Sequence, residues 1–544
     1  MKKLKRIFAV AAVAVTATIT FADNPVEVLQ LKYTDGIADY IPVDDINTIK
    51  FSKGIDCENP ALDPIFTMFD NLKKFGETSQ HYDFGYPALM LGMDLAANDM
   101  YTPNTGYNHF RTWIIPTYGS NTVPNGLMWE YAYSYIRSAN FALSHIPTTD
   151  TDENKMLAAQ ALAMRSFAYW NLVQTFAPNV AFAPEAKAVA ISTATTDVDE
   201  TLPLATTTEI YNLIFNDINL AIDYLTDNPM PPALIDVAHA KRFVDLGVAY
   251  GLRARYNLTM HHYAEAARDA RIAIEKSSAR PLLAEAAAYP GFNDARVGNW
   301  MWAITVDEND IVALTGIVNF ASHVSSLASG GYTSVGTARC CGDNLHSWLA
   351  SQSDDIRNNW FVDDRNIGRL LTGAQQEVVT QCINQSGLPY ANIKFDVYKG
   401  KIYGTIHAED IPLMRVEEMY LIEAEGLAMS GKLADARNKL IDFVRTYRNP
   451  SYVCNATDMK DLQTEVLWQR RIELWGEGQA YFDILRLQLD IDRYTDNCPL
   501  QYQFRIKGGS DFMRYKYPNV APYIEGYDYD TQYQVPQPGY DWNE

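Results

Sequence analysis

The chain is 544 residues long, 47% hydrophobic and 12% aromatic, enough apolar material for one large domain or roughly two to four ordinary ones, and too much for a disordered chain. Lys plus Arg number 45 and Asp plus Glu 66, a net charge of −21. That acidity disfavours nucleic acid and anionic membrane surfaces as direct partners and suits neutral ligands such as sugars.

The chain opens with a basic cluster, Lys2, Lys3, Lys5 and Arg6, followed by an apolar stretch over 7–22 with Thr20 and Ala22 as small residues before Asp23. Residues 1–22 therefore read as an export signal peptide, whose apolar stretch is short for a bilayer span of about 20 residues. Residues 23–58 read as a small β-hairpin appendage and linker. Val26, Val28, Leu29, Leu31 and Tyr33 form a strand-like run, Asp35-Gly36 a turn, and Val43 to Phe51 a second extended run.

From 59 to 544 the pattern is that of one large helix-rich domain. Trp129, Tyr133, Ile136, Asn140 and Leu143 share one face of a helix over about 125–145. A second helix spans Ala158 to Phe176, with Ala161, Arg165, Ala168 and Leu172 on one face; Ile210, Ile214, Ile218, Ala221 and Leu225 define a third. Two later segments, 240–274 and 413–444, share a helical-hairpin pattern. Each places two alanines twelve residues apart, Ala254 with Ala266 and Ala424 with Ala436. Small residues so spaced let antiparallel helices approach across a short turn, as in tetratricopeptide-type repeats. Gly431 marks the second turn, and Pro412 stands near the start of the helix before it. The expected fold is mainly α, with tetratricopeptide-like hairpins as a scaffold, long irregular loops and a few short strands.

The irregular stretches, about 98–122, 177–206, 280–300, 306–345 and 490–544, are rich in Tyr, Trp, Gly, Pro and Asn. Loops this long are usually functional or disordered, and this composition is that of ordered chain. Tyr101, Tyr107, Asn108, Phe110, Arg111, Trp113 and Tyr118 combine ring faces with polar groups in one loop. Sugar rings stack on aromatics while their hydroxyls take polar partners, so this loop is the candidate ligand site, with Tyr332 in Ser329-Gly-Gly-Tyr-Thr-Ser as a further candidate. The alternative is that these rings fill the core beneath the loop. The tail 512–542 is aromatic enough to pack on the body.

Catalytic signals are sparse. The nine histidines are scattered, with only His261-His262 adjacent. No His-Glu-x-x-His, Gly-x-Ser-x-Gly, phosphate loop or dinucleotide fingerprint occurs. Asp150/Asp152/Glu153 and Asp363/Asp364 lack the ligand ladder of a calcium loop. Six cysteines without a CxxC spacing suit free or occasionally paired structural roles better than a metal site. No cofactor, metal or catalytic residue is expected.

The most distinctive segment is Trp468-Gln-Arg-Arg-Ile-Glu-Leu-Trp-Gly-Glu-Gly-Gln-Ala-Tyr-Phe-Asp-Ile-Leu-Arg486. Read as one helix-like run, it puts Trp468, Ile472 and Trp475 on one face and Arg470, Glu473 and Glu477 on another. Charges interleaved with tryptophans point to partly buried ion pairs. Arg470, Arg471, Glu473, Leu474, Glu477, Gly478, Asp483 and Arg486 resemble the C-terminal signature of the SusD/RagB family of nutrient-binding proteins. Gln469 stands where Glu is usual. Trp129-x-x-x-Tyr133-x-x-Ile136-x-x-Ala139-Asn140 and Ala161-x-Ala-x-Arg-x-Phe-Ala-Tyr-Trp-Asn-Leu-Val173 resemble other motifs of that family, so the likeness covers roughly 60–540.

That resemblance implies a binding protein rather than an enzyme. It would sit at the outer-membrane surface, partnered by a TonB-dependent, SusC-like transporter, and bind a glycan for uptake. It also implies that ligand-contacting aromatics lie in the loop before the Trp129 helix, and that the C-terminal signature is architectural. The same fold could instead bind peptides, as RagB-like members do; an exported glycan-degrading enzyme is the remaining alternative. The family is usually lipid-anchored through a Cys directly after the leader. The first cysteine here is Cys57, so retention through the partner is the expectation.

Overall fold

The computed structural model describes residues 62–518 apart from 75–79, 106, 115–122, 147, 194, 197–199, 230–239 and 284–290, together with the backbone of three N-terminal strands. Those strands, β1 (Val13–Phe21), β2 (Asn24–Lys32) and β3 (Ala38–Pro42), pair antiparallel in the order β1-β2-β3. β2 and β3 flank Asp35-Gly36. The second strand falls earlier than the expected run at 43–51, which lies outside the described residues. β1 arises from the stretch read as a leader: its β-branched Val, Thr and Ile residues suit a strand as well as an apolar export segment. Cleavage before Asp23 would remove β1 and leave the β2–β3 pair.

The body is mainly helical. Helices α1 (Leu62–Asp70) and α2 (Tyr86–Ala96) lead into the long α3 (Val123–Ser144), α4 (Asp152–Phe176) and α5 (Thr207–Asp227). α3 and α5 both pack on α4, whose residues are buried almost throughout. A helix apolar or small on all sides belongs in the centre of a large core. The starts of α4 and α5 have local causes. Thr151 caps α4 by accepting from the Asn154 N–H, and Thr206 with Glu209 forms a reciprocal capping box on α5. Arg165 of α4 forks onto Asp217 of α5 through two 2.7 Å bonds.

The two hairpins stand where the alanine spacing places them. One is α6 (Leu246–Thr259) with α7 (Tyr263–Lys276); the other is Val416–Met429 with Leu433–Tyr447. Ala254, Ala266, Ala424 and Ala436 are all fully buried. The hairpins stack side by side, α7 against Val416–Met429. There Gly426 sits so close that an added Cβ would lie 2.5 Å from the Tyr263 carbonyl oxygen.

Short strands stitch the loops to this frame. Met100–Tyr101, Cys340–Cys341, Ala391–Asn392 and Phe361–Val362 form a four-stranded sheet, and Trp300–Ile304 pairs with Ile411–Arg415. The tail packs as far as it is described: Tyr515 N–H donates to the Thr175 carbonyl at 2.8 Å, and Tyr517 is buried against Trp129 and Phe176. Cys340, Cys341, Cys382, Cys454 and Cys498 are buried and free; Cys57 lies outside the described residues.

Candidate ligand-binding site

Antiparallel pairing of Met100 with Cys341 and Tyr101 with Cys340 brings two distant loops together, 101–114 and 320–339. The first loop is pinned from within. Asn108 is buried, donates to the Pro103 carbonyl at 3.1 Å and accepts from the Phe110 N–H at 3.2 Å. A turn at Arg111–Trp113 then drives Trp113 inward. In the second loop, Ser322 Oγ accepts the Tyr332 N–H at 3.0 Å and fixes that ring.

The eight sequence candidates divide sharply. Tyr101, Phe110 and Trp113 are core side chains, a correction to their reading as stacking platforms. Trp113 is 0% exposed, packed against Gly92 of α2 and 5.8 Å from the Phe110 ring. Phe110 is enclosed by Phe84, His323 and the Arg339 guanidinium. Their apolar area lowers the free energy most when removed from water, and the loop folds so as to bury it. Asn108 is likewise internal. Tyr107 is 64% exposed and Arg111 is exposed. Tyr332 is buried but reaches the rim through its hydroxyl, which hydrogen-bonds His81 Nδ1. Tyr118 lies outside the described residues.

Three histidines outside the eight sequence candidates complete the site. His81 and His109 stack with ring centroids 4.7 Å apart, and Tyr332 lies edge-on to both, 5.7 Å and 5.2 Å away. His323 stacks beneath Tyr332 at 4.4 Å, and its Nε2 shares a 2.8 Å bond with the His81 carbonyl. Burial, helped by the nearby Arg339 charge, holds His323 well below the usual imidazole range, so it is neutral. Burial, then His81 and Arg111, lower His109. Burial raises the Tyr332 phenol. These rings come from three separate segments with no local periodicity; the sheet pairing joins two of them, and the His81 carbonyl and ring tie the third to His323 and Tyr332. The result is a rim of Tyr107, His109, His81, the Tyr332 hydroxyl and Arg111 over a rigid aromatic column. Fixed donors beside an exposed ring form the surface that a sugar, with its apolar faces and ring of hydroxyls, engages.

The C-terminal segment has a different character. It is two helices, Met459–Glu473 and Ala480–Leu487, rather than one run. The break falls at Gly476 and Gly478, both with left-handed φ, +81° and +74°. An added Cβ at Gly476 would lie 2.4 Å from the Phe395 ring, so this tight turn needs glycine. Trp475 and Glu477 therefore sit in the turn. Glu473 accepts from Arg448 Nε at 2.8 Å, Arg415 Nη1 at 3.0 Å and Arg357 Nη1 at 3.2 Å. Glu477 takes Arg415 Nε at 2.9 Å and Lys394 Nζ at 2.6 Å. Asp483 bridges Arg470 at 3.0 Å and Arg486 at 2.8 Å, and Arg486 forks onto Glu425 of the second hairpin. Arg471 forks onto Asp99, at the foot of the aromatic loop. Apart from the partly buried Arg471, these side chains are enclosed, so their ion pairs join elements of the body.

Comparison with known proteins agrees with this layout. A SusD-like pattern described as starch-binding and associating with the outer membrane matches residues 73–238, and the SusD family pattern matches 358–542. The chain is 24% identical over 431 residues to SusD-like protein P2 of Formosa agariphila, covering 72% of this chain and 77% of that one. A SusD-like carbohydrate binding protein from Bacteroides vulgatus superposes with a TM-score of 0.65 at 21% identity, over 85% of this chain and 95% of that one. A laminarin-binding SusD-like protein gives 0.59 at 16% identity, over 89% and 99%. These structural likenesses show a shared fold.

Proposed function

This chain belongs to the SusD/RagB family, and from that premise we propose that it binds oligosaccharide at the cell surface. It would deliver the sugar to a TonB-dependent, SusC-like transporter in the outer membrane. The observation that carries the glycan reading is the ring cluster of His81, His109 and Tyr332, with the exposed Tyr107 ring two residues from His109 on the same loop. The starch-binding description of the matched pattern and the laminarin binding of a fold neighbour support sugar as the ligand class. The mechanism is capture and hand-over: the helical frame holds the rim still, the sugar stacks on Tyr107, and no bond is broken.

Calorimetry against panels of oligosaccharides and peptides tests this. Binding of at least one glycan is expected, weakened about tenfold in Tyr107→Ala, the loss of one ring contact. Peptide binding alone would replace the glycan reading with the peptide one. Release of reducing ends from a polysaccharide would make the protein an enzyme. Co-purification of a large β-barrel from the outer membrane is the expected sign of the transporter.

A further inference from the structure

Two of the three segments that build the rim are free of acids. The chain carries 66 acidic residues in 544, yet residues 100–114 and 311–342, which build most of the site, contain no Asp or Glu; at the overall frequency about six would be expected. The same two segments contribute His109, Arg111, His323 and Arg339. Arg111 is exposed and forms no ion pair among the described residues. Behind the rim, Arg339 is fully buried, 5.6 Å from the Phe110 ring centroid. Its Nη1 donates to Thr102 Oγ1 and the Thr337 carbonyl, both at 2.6 Å, while Nε and Nη2 have no hydrogen-bond partner among the described residues. Every other fully buried arginine among the described residues meets carboxylates or several carbonyls: Arg357 takes Asp355, Arg415 takes Glu477, and Arg493 takes backbone oxygens. Asp83, two residues from His81, is fully buried and accepts the Tyr131 hydroxyl.

A buried guanidinium without a carboxylate is costly, and a surface of net charge −21 repels anions unless one region is kept free of acids. We infer that this site selects oligosaccharides bearing anionic groups, carboxylate or sulfate on the sugar ring, with Arg111 as the contacting cation beside His81 and His109. The inference rests on the glycan reading. Guanidinium geometry suits planar carboxylates and sulfates bidentately, and the positive potential of Arg339 reaches the rim through a low-dielectric aromatic column.

The test is equilibrium binding of the full chain to three probes of matched length: oligogalacturonides, sulfated galactan oligosaccharides and neutral laminari-oligosaccharides. At least one anionic probe is expected to bind more tightly than the neutral one, with affinity that falls as sodium chloride rises. Arg111→Gln, an exposed change that leaves the unfolding midpoint in place, should lower the ratio of anionic to neutral affinity about tenfold, the size of one charged hydrogen bond. The two anionic probes separate carboxylate from sulfate recognition. Equal or tighter binding of the neutral sugar, a ratio unmoved in Arg111→Gln, or no binding of any probe would overturn the inference. In the first two outcomes the glycan reading survives; binding of acidic peptides alone would overturn both.

Discussion

Tyr107 and Trp113 lie in one loop and end in opposite environments. Trp113 is enclosed between Phe110 and α2, where Gly92 leaves no room: a Cβ there would lie 1.9 Å from Trp113 Cε3. Trp113→Ala would leave a large cavity in this packing and should cost about 3–5 kcal/mol of stability, read from the urea midpoint. Tyr107→Ala should leave that midpoint within about 0.5 kcal/mol, because its ring is mostly in water. An unchanged midpoint in the Trp113 variant would mean that this part of the loop is not core. Loop composition announced aromatic side chains and could not say which faced inward. That depended on Gly92 in α2, 21 residues upstream of Trp113 (113 − 92), and on the turn at Arg111–Trp113.

At the scale of elements, legibility followed the range of the interactions. The hairpins were readable because the fit of α6 on α7 needs only alanines at a fixed spacing along one local stretch. The helical ends of the signature segment were readable for the same reason, but its break was not. Two glycines inside a charged, tryptophan-rich run could have been tolerated in a helix at about 1 kcal/mol each. What decides against it is Phe395, Met90 and Asp94 packing onto the turn from elsewhere in the chain. The turn closes a buried cluster in which Arg357, Lys394, Arg415 and Arg448 face Asp355, Glu417, Glu473 and Glu477. Four cations meet four anions, and Gln469, in place of the usual Glu, preserves that balance while accepting from Arg357 at 2.6 Å. Burial alone would raise the Glu473 carboxyl; the guanidiniums of Arg448, Arg415 and Arg357 hold it well below the usual range instead. Glu473→Gln would strand positive charge in the interior, so a loss of about 3–5 kcal/mol is expected in chemical denaturation. A loss under about 1 kcal/mol would show that the cluster relaxes or admits water.

On the scale of the whole molecule, the two family-matched portions, 73–238 and 358–542, are clasped where α2 and its following loop meet the signature turn. Arg471 forks onto Asp99, Trp475 Nε1 donates to the Asp99 carbonyl at 2.9 Å, and Asp94 accepts the Gly478 N–H at 3.0 Å. Asp94 gives this clasp a pH signature. Burial pushes its carboxyl up to about 7, against the Gly478 and Ala480 N–H groups and the Lys394 charge. An unfolded aspartate titrates near about 3.9, so between about pH 4 and 7 the native state holds a proton that the unfolded state has released. The Asp94 contribution is therefore complete below that window and declines as pH rises through it, levelling off above about 7. Glu473 and Asp483, held low after burial is outweighed by their arginines, act in the opposite sense: their contribution is present above about pH 4 and is lost as pH falls further. Asp94→Asn keeps an acceptor for a backbone N–H and removes the titration. Unfolding midpoints from about pH 4.5 to 8 should converge or cross, with the variant gaining on the natural chain as pH rises toward 7. Below about pH 4 both chains should weaken together, because the Glu473 and Asp483 pairs are common to them. Parallel curves across the upper window would mean that Asp94 stays ionised in the native clasp, with Lys394 and the two N–H groups outweighing its burial.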